Sequence, residues 1–579
     1  MDAMDQVSVG VRAPGLAGGR NLRLLALLLS AVIVCIAAAT IKVIPFGRAF
    51  WDFLFIQDGA YRIGLGQAPH LDFMMPIGSL TLYATYLGER LFPAGQPFIG
   101  LHALMWLLML PPLAMLAPRF ETGARFYSAL ALLALLVLVP FTVDKTNLSE
   151  ISYFASYNRF VAGFLFLLGL WYVLPKSAWD APLLGYLIGL LLFLKVTAAG
   201  AAIGILIAAC VLRRAEWRQA FLALAGLAVV CASIEAATGI VSAYWRDVLA
   251  MVRINQGQGP YALGFAAFRN WAPLTVAAGI VVLTLRTVRH GRAARANSSG
   301  VVWSWLHAQA FTVDMVVLLG AALATESQNT GGIGVVAAAA VLFHSDIKRQ
   351  SPRHLIGTTL LGAALLLPIL DVVVSRTLTI IQRERVGSYD HGFSALTPGI
   401  RVPAATLAGA QLIRRLSHEW LGMISEVQSK RFSIDNDPSS NAPAAAVAWS
   451  EDVVEAAEIF RAQGLRKTAG HYATLAFTDQ FSRLLGLTPA RGVMLAVQVT
   501  RTIPVFDQPS ASRYLAQADG AFLSTCVLSA GGEPTIRTIF QPVLDAEFER
   551  HPLNACWDFF SRKVASPFAT ASVAADTLE

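Results

Sequence analysis

The run LRLLALLLSAVIVCIAAATIKV (Leu22–Val43) leads within a few residues into WDFLFIQDGAYRIGLGQAPHLDFMMPIGS (Trp51–Ser79). The first is apolar over the roughly 20 residues that cross a bilayer. The second brings acids, aromatics and turn residues back together. An acid-bearing segment beside lipid is costly unless it lines a wet cavity or pairs its charges. The two stretches therefore point to a membrane bundle and to the loop behind its first span as the place for chemistry. Asp58, Tyr61 and Arg62 fall at helical spacing, which puts carboxylate and guanidinium on one face of a short helix. Gly64, Gly66 and Pro69 break that helix, and Asp72 follows on the next turn.

The rest of the chain agrees. Its 579 residues are 55% hydrophobic and only 14% charged, too apolar for a soluble protein and fitting a polytopic membrane protein. The net charge of +8 has a topological cause, since much of the Arg sits in short loops. No basic patch interleaved with aromatics and no nucleic-acid motif occurs, which excludes that class of partner. Five cysteines form no metal-spaced cluster. Cys35, Cys210 and Cys231 lie in apolar runs; for Cys526 and Cys556 a disulfide outside the cytoplasm and two free thiols are equally open. The segment up to Arg20 is polar and Gly-rich, and the apolar run after it is too long for a signal-peptide core, so it reads as a retained anchor.

Further apolar runs are Pro97–Leu116, Arg125–Phe141 and Phe160–Leu174. Leu183–Leu212 is too long for one span and is interrupted at Lys195, giving two short helices that turn there. Then come Ala220–Ile240, Trp271–Leu285, Phe311–Thr325, Ile333–Phe343 and Leu355–Val374, about eleven spans in all. Basic residues test this map, because they favour cytoplasmic loops. Arg12 and Arg20, Arg119 and Arg125, Lys176, Arg213 with Arg214 and Arg218, Arg286–Arg295 and Lys348–Arg353 fall on one side, the cytoplasm. The Trp51 loop, Thr142–Arg159, the Lys195 turn, Tyr244–Asn270, Glu326–Gly332 and everything after about Arg376 fall outside.

Past Arg376 charges, Asn, Ser and Pro return, and no further run is long enough to span. The expected organisation is a cytoplasmic tail (1–21), a transmembrane catalytic region (22–375) with an outer loop (45–96), and a soluble outer domain (376–579). That domain is expected to be mixed α/β, with a helix at Asp452–Gln463 and strands at Tyr472–Phe477, Val493–Val499 and Ala521–Leu528. The fold class is thus mainly α: a polytopic helical membrane bundle with a C-terminal mixed α/β soluble domain. No internal repeat is found.

With this topology the unusual polar residues collect on the outer face: Asp58, Arg62, Asp72, Asn158, Arg159, Lys195, Arg253, Gln328 and Asn329, with Tyr61 and His70 as further cavity candidates. A carboxylate among cations suits a reaction in which a hydroxyl loses its proton while a phosphate departs. Each residue also has a structural reading. Asp58 and Arg62 can pair on a solvated helix face, Asp72 can cap the next helix, Lys195 can snorkel and Arg159 can anchor its span. A lone His70 is ordinarily structural, Glu235 pairs with a nearby Arg at a helix end, and Asn147-Leu148-Ser149 matches a glycosylation triplet frequent by chance.

Asp58-x-x-Tyr61-Arg62, followed by Gly66, Pro69, Asp72-Phe73 and Pro76, resembles the first outer loop of the glycosyltransferase C superfamily, multi-pass enzymes that use polyprenyl-phosphate sugars. Tyr157-Asn158-Arg159, GYLIGLLLFLKVT (Gly185–Thr197) and Gln328-Asn329-Thr330-Gly331 are similar to further motifs in the same order. The resemblance covers the membrane half, to about Val374. It implies inverting sugar transfer from a polyprenyl-phosphate sugar to a glycan or lipid acceptor. Asp58 would be general base, Asp72 the second acid, and Arg62, Arg159 and Lys195 would hold the donor phosphate. The family's acidic doublet is absent here, because Gly59 follows Asp58, so no metal is assigned. The excess of Arg over Lys and the abundance of Ala suggest a bacterial source, hence the cytoplasmic (inner) membrane with the N-terminus inside. A transporter or flippase of lipid-linked glycans would predict repeated halves; a polymerase or ligase using polyprenyl-diphosphate glycans would place key arginines in large outer loops.

Overall fold

The computed structural model describes residues 16–141, 151–256, 259–292, 309–326, 333–386 apart from 346, 348 and 349, then 388–390, 396, 399–419, 443–467, 470–526 and 533–563. It is mainly helical. In chain order the first helices are α1 (Leu16–Thr40), α2 (Phe50–Gly64), α3 (Leu80–Leu91), α4 (Pro97–Leu116), α5 (Gly123–Val137), α6 (Tyr157–Val173), α7 (Asp180–Leu194), α8 (Val196–Val211), α9 (Trp217–Thr238), α10 (Ile240–Ile254), α11 (Gly259–Arg269) and α12 (Trp271–Arg292). Helix Ala310–Glu326, a 3-10 helix Gly334–Phe343 and the long helix Pro352–Val386 follow.

Each apolar run expected to span is one helix here. Among the described residues, only α1, α4, α9 and Pro352–Val386 are long and apolar enough to cross by themselves; α11 and α12, bent by 85°, make a fifth if they form one broken span. Among the others, α5, α6, α7, α8 and the 3-10 helix have 10–17 residues, short for a 30 Å hydrocarbon core at 1.5 Å per residue. The apolar faces of α1 and α9 are left exposed, as in Phe221 and Val229, which suits lipid rather than protein as neighbour. α6 is the opposite case. From Asn158 to Tyr172 it is buried all round, packed against the 3-10 helix, α5 and α8.

The expected break at Lys195 is present. That residue is extended (φ −162°, ψ 115°), closing α7 and opening α8. Gly78, in the loop between α2 and α3, sits on this turn, with its N–H donating to Leu194 O at 3.2 Å. A Cβ at Gly78 would fall on the Phe193 carbonyl, so only glycine permits the approach. Gly78→Ala is expected to lower stability by about 1–3 kcal/mol, read as a fall in the thermal midpoint of the purified protein; an unchanged midpoint would mean the loop is not seated there.

Among the described residues there are ten short strands: β1 (Ile44–Pro45), β2 (Phe73–Met74), β3 (Ser388–Asp390), β4 (Ile400–Pro403), β5 (His471–Leu475), β6 (Thr488–Pro489), β7 (Val493–Met494), β8 (Gly520–Ser524), β9 (Phe548–Pro552) and β10 (Trp557–Arg562). Five of them form a mixed sheet of order β6-β5-β8-β10-β9, with β5, β6 and β8 parallel and β10 antiparallel to both neighbours. β8 is buried at every position because both faces are covered. Phe460, Phe481, Trp557 and Phe559 pack with Phe522 on one side, and Ile536, Phe540 and Leu544 with Leu523 on the other. The strands expected at Tyr472–Phe477 and Ala521–Leu528 are β5 and β8. Val493–Val499 is strand only over β7; beyond it the backbone turns, with Gln498 N–H donating to Thr502 Oγ1, so its apolar character marks burial and not pairing. Cys526 and Cys556 are joined in a disulfide.

Two small sheets tie the segments flanking α2 to the C-terminal segment. β1 pairs with β4 in parallel (Ile44 with Ile400) and β2 with β7 in parallel (Phe73 with Val493). Trp51 of α2 meets Trp449 edge-on at 4.6 Å, and Trp449 meets Trp557 at 5.9 Å, so one buried aromatic row runs from the loop into the sheet.

Candidate functional site

The face of α2 that carries Asp58 and Arg62 is turned into the C-terminal segment. Arg62 Nε donates to Asp58 Oδ1 at 3.1 Å, Nη1 to Ala490 O at 3.3 Å, and Nη2 to Asp479 Oδ2 at 3.3 Å. Asp479 is itself fixed by Thr474 Oγ1 (2.7 Å), Ser482 Oγ (2.6 Å) and Ser482 N–H (3.1 Å). One guanidinium thus lies between two carboxylates with water excluded; Asp58 and Arg62 are each 2% exposed. Burial, aided by the like charge of Asp479 and opposed by Arg62, pushes the Asp58 carboxyl up to about 8.

The neighbouring loop follows the same pattern. Tyr61 donates to Leu487 O (3.0 Å) and Gln67 to Pro489 O (2.7 Å). Asp72 accepts from Ala68 N–H (2.8 Å) and pairs with Arg491 (3.2 Å), closing its own loop instead of capping α3. His70 Nδ1 lies 2.7 Å from Asp247 of α10, which also accepts from Met75 N–H. Burial raises the Asp247 carboxyl, and His70 opposes that rise.

A second group lies at the other end of α2. Asp52, in its first turn, is half-buried, and its Oδ2 accepts the N–H of Ala155 at 2.5 Å. Ala155 has φ 44°, a left-handed conformation that turns the chain into α6 and aims this N–H at the acid. The exposed guanidinium of Arg501, from the C-terminal segment, acts on Asp52 from another side. Burial raises the Asp52 carboxyl to about 6, with the Ala155 N–H and Arg501 opposing. Tyr157 lies in the field of both Asp52 and Arg501 and bonds to Asn158. Asn158 Oδ1 accepts from Lys195 Nζ at 3.1 Å, and Lys195 reaches Thr325 O at 3.4 Å in the field of Glu326. A polar row therefore runs Asp52, Tyr157, Asn158, Lys195, Glu326 across α2, α6, the α7–α8 turn and helix Ala310–Glu326.

Of the residues singled out in the sequence, Asn158 and Lys195 meet in this row, while Asp58, Tyr61, Arg62 and Asp72 meet the C-terminal segment. Arg159 turns away from both. Its guanidinium donates to Leu135 O, Leu136 O and Phe141 O, meeting carbonyls at and just beyond the end of α5. Arg253 is exposed on α10. Gln328, Asn329 and the Asn147 triplet lie outside the described residues. Glu235 is exposed and accepts the N–H of Ser242 (2.9 Å), with Arg246 nearby. Sequence reading missed Asp52, Asp479 and Arg501. Asp52 carried a signal, an acid set among Trp51, Phe53 and Leu54; nothing in the chain linked Asp479 or Arg501 to a loop more than four hundred residues earlier.

Among the described residues one group of metal-ligating side chains is close enough to share an ion, His418, Asp452 and Cys556. The Cys556 sulfur is bonded to Cys526, and Asp452 is taken by Arg414 and His418, so this donor set does not suit a metal.

Two solved crystal structures are similar to this chain, those of ArnT from Cupriavidus metallidurans bound to undecaprenyl phosphate and in the apo state. Identity is 13% to each, with TM-scores of 0.39 and 0.40; 94% and 93% of this chain and 98% of each of those chains are covered. No family model matches the chain, and no curated protein matches it.

Proposed function

We propose that this chain is a membrane glycosyltransferase that moves a sugar from a polyprenyl-phosphate donor to a glycan or lipid acceptor at the outer face of the inner membrane. The observation that carries the reading is the half-buried Asp52 beside Arg501, in line with Tyr157, Asn158 and Lys195. The carboxylate takes the proton of an acceptor hydroxyl, the oxygen attacks the anomeric carbon, and the bond to phosphate breaks in the same displacement. Configuration therefore inverts, and the charge released on the phosphate is met by the Lys195 ammonium. Asp52 is preferred to Asp58 as base because Asp58 is closed off by Arg62 and Asp479. Arg62 and Arg159, with all three guanidinium nitrogens of each engaged by protein acceptors, hold the fold around the site. The Cys526–Cys556 disulfide supports an outer position for the C-terminal segment, since such bonds persist in oxidising compartments. That segment, from about Arg376, would form the acceptor side through Arg501.

The test is an assay of the purified chain with a panel of polyprenyl-phosphate sugars, following released polyprenyl phosphate and the anomer of the product. Release matched to transfer with inversion is expected, and Lys195→Gln is expected to weaken donor use. Consumption of polyprenyl-diphosphate glycans alone would favour a polymerase, and movement of lipid-linked glycan between leaflets without release would favour a flippase.

A further inference from the structure

A cavity of about 700 Å³ lies at the far end of α6 from the candidate site. α6 begins at Tyr157 and ends at Val173, so roughly 25 Å of helix separates the two. The polar lining is Lys176, Arg213, Arg214, Glu216 and Gln219, three cations to one acid, with Trp217 at the edge. The cations are set in place by the fold. Arg214 is bonded to Asp314 and Ala310 O, with its guanidinium 5.4 Å from the Tyr172 ring. Lys176 donates to the last carbonyls of α6, at Trp171 (2.5 Å) and Tyr172 (3.0 Å), and lies 4.3 Å from the Trp171 ring. Arg213 is exposed and left-handed (φ 56°), at the turn between α8 and α9.

The mouth adjoins lipid-facing surface, since Trp217 and Phe221, in the first turns of α9, are 60% and 71% exposed. Tryptophan at such a position belongs to the level of the headgroups. Basic loops assign this end to the cytoplasmic leaflet, whose anionic lipids collect near cations, and basic pockets between helices on that side suit phosphate headgroups. Burial pushes the Lys176 ammonium down to about 7, so an anion set beside it would restore its charge.

We propose that the cavity lined by Lys176, Arg213 and Arg214 binds the phosphate headgroup of an anionic inner-leaflet phospholipid, whose acyl chains lie along α9. The site stands on topology and charge, and does not depend on the chemistry at the outer face.

The test uses the full chain released from nanodiscs of phosphatidylethanolamine doped with phosphatidylglycerol or cardiolipin, with retained lipid counted by native mass spectrometry. Several-fold enrichment of the anionic lipid is expected, lost in Arg213→Gln and kept in Arg213→Lys. Equal retention of both lipid classes would overturn the proposal, as would enrichment unchanged in Arg213→Gln. Stripping of the lipid by excess inorganic phosphate would overturn the choice of a lipid in favour of a soluble phosphate. Should Arg213→Gln fail to fold, headgroup selectivity of the unaltered chain and its response to phosphate still decide the matter.

Discussion

Asp52→Asn is expected to lower turnover by about 10²–10⁴-fold and to leave binding of the proposed polyprenyl-phosphate donor nearly unchanged. The substitution keeps the shape and the acceptor oxygen for the Ala155 N–H, and removes only the capacity to take a proton. The pH profile adds an independent readout. A base works ionised, so activity should rise with pH through the carboxyl of the free protein, near 6 for Asp52 and near 8 for Asp58. A rising limb near 8, together with full turnover in Asp52→Asn and loss in Asp58→Asn, would return the role to Asp58, as the loop motif by itself suggests.

Arg62→Met should have the largest effect on stability. It leaves Asp58 and Asp479 facing each other in a dry interface, and removing one partner of such a group costs about 3–5 kcal/mol. Asp58 can escape by taking a proton. Asp58 is already held above its ordinary 3.8. Its contribution to stability is present below that value and is lost as pH rises through about 8. In Arg62→Met this dependence should steepen, because the one cation opposing the rise is gone. Denaturation of the purified variant at pH 6 and pH 8 reads it directly. The triple variant Arg62→Met, Asp58→Asn, Asp479→Asn should regain much of the loss; a single variant as stable as the parent would show that this cluster does not fasten α2 to the sheet.

The bundle was legible because lipid imposes a coarse code. Each apolar run from Leu22–Val43 onward became a helix, and the two runs around Lys195 separated where the charge stood. The site was legible only in part. Tyr157-Asn158 and Lys195 converge as their outer positions suggested, since topology alone brings ends of neighbouring helices together. Asp58 and Arg62 share a helix face as their spacing implied, but which way that face points depends on Asp479 and Ala490. Arg159 reads from sequence like a free cation beside a cavity and is instead turned onto carbonyls near the end of α5. Local spacing carries local pairs, and nothing in it records which distant backbone will ask for a donor.

The bond between Arg62 and Asp479 spans 417 residues, and this has a consequence during synthesis. At about 5–20 residues per second, roughly 20–80 s pass between the appearance of the arginine and that of its second carboxylate. Throughout that interval β2 has no β7, and Tyr61 and Gln67 have no carbonyls to meet. The α2 region is thus among the earliest parts of the chain to emerge and among the last to reach its final shape. A ribosome that stops before His471 leaves a bundle with helices in place and an unfinished loop exposed to proteases.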